Sequence, residues 1–147
     1  MDAEREKVAE FIELRAPDDR LPAACHRASL CYERNETVSL YVPDDAEAAE
    51  LDVTLWTFRQ DSFIPHVRLE QAEEPLLEPV VIFSADPGPV ESDVLIVISN
   101  GVLPEWFERF RHVYDFAPIY DEAPRQAGRE RYAACQAAGY RMRFIKG

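Results

Sequence analysis

Apolar and polar residues alternate with two different periods along this chain, and the switches between them mark out its elements. Residues 8–14 place apolar side chains at Val8, Phe11, Ile12 and Leu14, which reads as a first strand, with a short helix as the other fit. Residues 15–20 hold Pro17, Asp18 and Asp19 and form a loop. From Leu21 the apolar positions Ala24, Cys25, Ala28, Cys31 and Tyr32 recur at helical spacing, one buried stripe that ends at Arg34 and Asn35. Residues 37–42 are rich in β-branched and aromatic side chains and predict a strand. Asp44 and Glu47 have the spacing of a helix N-cap and its partner, opening a helix through Ala48, Leu51 and Leu55.

Residues 67–77 are acidic and irregular, residues 80–83 are a short buried strand, and residues 85–89 are a turn. Residues 94–98 are the most apolar strand candidate, suited to the centre of a parallel sheet. Pro104 then opens a helix with Trp106, Phe107, Phe110 and Val113 on one face, and residues 114–120 leave room for a short strand. Pro124 fits the first turn of a last helix that runs to Ala138 and stops at Gly139. Beyond it Tyr140, Met142 and Phe144 alternate with Arg141 and Arg143, a last half-buried strand. Strands alternating with helices imply an α/β fold: a three-layer α/β/α sandwich around a mostly parallel sheet, Rossmann-like in outline.

Length makes residues 1–147 a single domain, and the charged residues 1–7 ahead of the first strand are expected to be a loose acidic head. A hydrophobic share of 47% can bury one core, which argues against disorder. No apolar run nears the roughly 20 residues that span a bilayer. The charged start, Met1 to Lys7, lacks the apolar core of a signal peptide. The expectation is a cytoplasmic protein, and three cysteines without framework spacing suit reduced thiols there.

Net charge is −12, which opposes general binding to phosphate backbones. The average hides an asymmetry. Residues 1–124 carry 27 acidic and 10 basic side chains, a balance of −17. Residues 125–147 carry Arg125, Arg129, Arg131, Arg141, Arg143 and Lys146 against Glu130 alone, a balance of +5. A basic terminus on an acidic body either holds an acidic ligand locally or pairs with the protein's own carboxylates.

An α/β sheet invites a nucleotide, but the five glycines form neither G-x-G-x-x-G nor G-x-x-x-x-G-K-[ST]. The loop after the first strand has no glycine, and its Asp18 and Asp19 would repel an anion. Cys25, His26 and Cys31 share one helix without a second ligand pair, so the cysteines read as small core residues and no metal is expected. Ser62 and Ser99 lack a nucleophile setting, and His26, His66 and His112 fall on separate elements. Neither catalytic residues nor a cofactor are expected. A small α/β enzyme or nucleotide-binding domain with an unusual loop stays open as the alternative, as does a degenerate α/β interaction module.

Two features suit protein binding instead. Arg125, Arg129 and Tyr132 fall on one face of the last helix, a clamp for an acidic peptide ending in an apolar residue. Phe116 and Ala117, just before that helix, would floor it, while Arg131, about 200° from Arg129, points elsewhere. The second is the stretch Leu55-Trp56-Thr57-Phe58-Arg59-Gln60-Asp61-Ser62-Phe63-Ile64-Pro65-His66, whose aromatics follow no regular period. Pro65 holds Ile64 extended, so the segment either presents a surface to a partner or packs into the core.

That stretch resembles the Leu-Trp-x-x-x-x-x-Ser-Phe-x-Pro-His segment of the chi subunit of bacterial DNA polymerase III. Residues 92–99, Ser-Asp-Val-Leu-Ile-Val-Ile-Ser, look like that family's central strand. Val113-Tyr114-Asp115-Phe116-Ala117-Pro118 and Arg129-Glu130-Arg131-Tyr132 look like its C-terminal motifs. The likeness covers about residues 8–145. It implies a non-catalytic accessory subunit that links the clamp loader to single-stranded-DNA-binding protein by holding that protein's acidic C-terminal tail. Carried over, Arg129 and Tyr132 match the tail-binding positions, and Arg125 matches less closely because the preceding loop is one residue longer. Ala133 departs from the pattern, standing where chi proteins carry another basic residue, which implies a weaker hold on the tail unless Arg131 or Lys146 compensates. The resemblance also implies a second interface, for the psi subunit or another clamp-loader component, at Trp56, Phe63, Pro65 and His66.

Overall fold

The computed structural model describes residues 6–58 and 63–147. Residues 1–5 of the expected acidic head and residues 59–62 of the aromatic segment lie outside the described residues. The chain runs β1 (Val8–Leu14), α1 (Arg20–Glu33), β2 (Val38–Tyr41), α2 (Asp45–Thr57), β3 (His66–Arg68), β4 (Val80–Phe83), β5 (Val94–Val97), β6 (His112–Pro118), α3 (Glu122–Ala137) and β7 (Arg141–Ile145). The strands form one sheet in the order β3-β4-β2-β5-β6-β1-β7, and every pairing is parallel. β5, fully buried on both faces, is its central strand, as its unbroken apolar run requires.

The helical stripes decide the layers. α1 buries Ala24, Cys25, Ala28 and Cys31, and α2 buries Ala48, Leu51 and Leu55, against one face of the sheet. α3 covers the other face together with a short 3-10 turn, Glu105–Arg109, around Phe11, Leu95, Val97 and Val113. Burial pushes the thiols of Cys25, Cys31 and Cys135 up to about 12, so all three remain protonated packing residues. Among the described residues no helix is long and apolar enough to cross a membrane.

Helix ends follow local chemistry. Asp44 Oδ1 accepts the Glu47 amide at 2.9 Å, capping α2. The Glu47 carboxylate does not return to the Asp44 amide; it pairs with Arg20 at the start of α1 and ties the two helices together. Asp44→Ala should therefore cost about 1 kcal/mol in urea unfolding, and a change within error would remove the cap from the account. Gly139 ends α3 at φ +89°, a conformation in which a side chain is strained.

Three local expectations are corrected. The helix expected from Pro104 through Val113 is only the 3-10 turn, after which Phe110 is extended and Val113 belongs to β6. The Tyr140 hydroxyl explains the early stop, lying 2.5 Å from the Phe110 carbonyl and 3.2 Å from that of Phe107. It supplies the donor that a further helical turn would have provided, and residues 112–118 pair with β1 along its whole length. The stretch expected to be irregular from Val67 begins instead with β3 pairing to β4. Finally, β7 is an edge strand: Tyr140 beside it is buried, Met142 half-buried, and Phe144 57% exposed.

Candidate functional site

At the carboxyl ends of β6, β1 and β7 the chain leaves a cavity of about 290 Å³ under the first half of α3. Each element contributes through its own period. Helical spacing brings Arg125, Gly128, Arg129 and Tyr132 to one wall. The strands supply the floor: Phe11 from β1, Ala117 and Pro118 from β6, and Phe144 from β7. Tyr132 meets Phe11 edge to face, ring centres 5.1 Å apart, which fixes the aromatic wall. Gly128 lets the helix come close; a Cβ there would lie 3.2 Å from the Pro118 ring.

The cavity is apolar below and cationic at its rim. Arg129 is exposed, held among the described residues by Gln126 at 3.4 Å and by Glu122 at 3.9 Å. Arg125 is exposed and has no carboxylate partner among the described residues. Two guanidiniums above an apolar floor can grip a carboxylate attached to an apolar side chain. The expected clamp residues Arg125, Arg129 and Tyr132 are thus brought together. Phe116 is not: it is buried toward α1 and α2 on the opposite face, and Ala117 takes the floor position. Phe11, Phe144 and Gly128 join the site although sequence reasoning did not name them.

Behind the cavity α3 is locked by a buried ion pair. Arg131, 1% exposed, donates from Nε to Asp115 Oδ2 at 2.9 Å, from Nη1 to the Gly101 carbonyl and from Nη2 to the Phe116 carbonyl, both at 3.1 Å. Asp115 Oδ1 accepts the Phe116 amide at 2.7 Å. Burial pushes the Asp115 carboxyl up to about 6 while Arg131 and that amide oppose the shift. Arg131 faces away from the clamp, as helical geometry required, but it points into the protein and cannot stand in for the missing basic residue at Ala133.

The aromatic segment forms a second patch at the far edge of the sheet. Trp56 and Phe63 are 53% and 59% exposed, their rings 5.2 Å apart, and Val53 beside them is equally open. Pro65 is half-buried. The His66 side chain is buried, with Nδ1 2.7 Å from the Ile64 carbonyl and Nε2 3.1 Å from Asp52 Oδ1. Its ring lies 4.6 Å from that of Trp56, so it positions the indole and has no surface left to touch a partner.

Two other hollows are less promising. One, about 760 Å³ at the amino ends of β2, β5 and β6, is lined in large part by groups already engaged with one another. There Arg109 pairs with Asp86 and the Gly88 carbonyl, and Asp93 accepts from Thr37. The crevice beyond the carboxyl ends of β1, β2 and β5, where sheets of this kind hold nucleotides, is crossed by the Arg20–Glu47 pair. Arg20 also reaches the Ile98 carbonyl at 3.5 Å.

Residues 7–143 match the family model described as DNA polymerase III chi subunit, HolC. A protein of Pseudomonas aeruginosa, DNA polymerase III subunit chi, is 32% identical over 124 residues, 84% of each chain. The Escherichia coli DNA polymerase III subunit chi is 25% identical over 118 residues, 80% of this chain and 79% of its own. Among solved structures, the C-terminal domain of the DEAD-box protein Dbp5 superposes with a TM-score of 0.57 at 10% identity. The match covers 96% of this chain and 89% of that one and speaks for the fold alone.

Proposed function

The chain belongs to the DNA polymerase III chi subunit family, and from that premise we propose that it is a one-domain, non-catalytic adaptor of the polymerase complex. It acts in the cytoplasm and needs no cofactor. Its task is to link the clamp loader to single-stranded-DNA-binding protein by holding that protein's acidic C-terminal tail. The observation that carries this reading is the α3 cavity, where Arg125 and Arg129 rim an apolar floor on a chain that is otherwise strongly acidic. The tail's terminal carboxylate meets the guanidiniums and its last apolar side chain enters between Tyr132 and Phe144. The chain's net charge of −12 repels DNA itself, so contact with the template runs through the coat protein. The patch of Trp56 and Phe63 is the second interface, for psi or another clamp-loader component.

Titration with the C-terminal peptide of the organism's own single-stranded-DNA-binding protein tests the reading. Arg129→Ala should weaken binding about tenfold or more, the value of one charge-assisted hydrogen bond of about 1.5–3 kcal/mol. Removing the peptide's last residue should weaken it comparably, and affinity should fall as salt rises. Wild-type protein that ignores the peptide at low salt would refute the tail reading.

A further inference from the structure

The tail reading fills the α3 cavity but leaves the strand beside it unexplained. β7 pairs with β1 on one side, and among the described residues its outer side carries no strand. The Arg141 amide donates to the Lys7 carbonyl at 2.8 Å, so Arg141, Arg143 and Ile145 turn their main-chain groups toward β1. By alternation Met142 and Phe144 turn theirs outward.

Both flanks of this edge are hollow. On the α3 side is the cavity that Phe144 helps to line. On the α1 side a second concavity, about 390 Å³, is bordered by Ile12, Ile145, Arg27 and Lys146, with Glu13 and Asp19 on its far wall, so it is apolar beside β7 and of mixed charge beyond. A strand laid along β7 would drop alternate side chains into the two.

Charge decides what kind of strand fits. Arg143 and Lys146 have no carboxylate partner among the described residues, and Arg141 is neutralised by Glu6 at 3.2 Å. Lone charges are a common guard on an open edge, yet a guard does not call for the half-exposed Phe144 between them. The opposite edge shows the contrast: β3 has three residues, and its Arg68 is matched by Glu70 at 3.2 Å.

We infer that the open edge of β7 is a docking strand for an acidic, extended peptide segment, held by main-chain pairing to Met142 and Phe144 and by Arg143 and Lys146. Building on the tail reading, the segment is the acidic stretch that leads into the α3 cavity, so the peptide is read along a line as well as at its end.

Two peptides separate this inference from the reading beneath it: the terminal end of the tail alone, and a longer one that also spans β7. The longer peptide should bind at least about tenfold tighter, the effect of about 1.4 kcal/mol. That gain should vanish in Arg143→Glu/Lys146→Glu and on N-methylation of peptide amides facing the edge. Amide exchange at Met142 and Phe144 should slow with the longer peptide and not with the short one. If the short peptide binds through Arg129 but length, N-methylation and exchange make no difference, the docking strand is refuted and the α3 reading stands. If neither peptide binds, both fall.

Discussion

Replacing Arg131 by methionine should cost about 3–5 kcal/mol of folding stability, the usual penalty for removing one member of a buried ion pair. Asp115 would keep only the Phe116 amide, and the Gly101 and Phe116 carbonyls would lose their donors. The pH dependence identifies the cause. In the wild type the Asp115 carboxyl is raised to about 6 from an unfolded value of about 3.9. The stability it contributes is present below the unfolded value and lost as pH rises through about 6. Without the guanidinium, burial acts with less opposition and the folded value moves higher still. The variant therefore keeps losing stability at pH values where the wild type is level, and its deficit narrows as pH falls from neutral toward 6. Asp115→Leu added to Arg131→Met should recover part of the loss, because the orphaned carboxylate is gone. Urea unfolding across that range checks all three; a loss under about 1 kcal/mol that is flat with pH would show that the pair does not hold α3.

This pair also shows where a sequence stops being readable. Asp115 is a charge inside an apolar strand and Arg131 a charge on the inner side of an amphipathic helix. Each invites the search for the other, since unpaired buried charges are rare, but helical spacing alone says only that Arg131 turns away from Arg129. Elements with a strong period were legible: α1 from its stripe, β5 from its apolar run, α3 from Pro124 to Gly139. The turn after Pro104 was not, because Trp106, Phe107, Phe110 and Val113 fit a helix equally well. The contact that ends it comes from Tyr140, 30 residues further on. In the site, one helix gave Arg125, Arg129 and Tyr132 directly. The floor failed by one residue, because strand alternation sends Phe116 toward α1 and Ala117 toward α3, and the phase of a strand is set by its partners. Phe11 and Phe144 meet only through the pairing of β1 with β7, which local pattern does not encode.

Trp56→Asp should weaken the proposed second interface by about 2 kcal/mol or more, roughly thirtyfold, while leaving peptide binding at the α3 cavity unchanged. The separation follows from the sheet. Trp56 packs on His66 of β3 at one edge and the α3 cavity adjoins β7 at the other, with six strand spacings of about 4.8 Å between them, about 29 Å in all. That separation would let the two proposed partners be held at once without competing for surface, as the proposed adaptor role requires. The indole is already half in water, so its removal should change stability by no more than about 1 kcal/mol. A charge placed among Val53 and Phe63 would be desolvated by any apolar partner that covers them, and that is the source of the loss. Binding of the variant to the psi or clamp-loader component, measured beside tail-peptide binding by the same sample, checks the assignment. An unchanged first affinity would move the second interface away from Trp56; a fall in both would mean that the two edges are not independent.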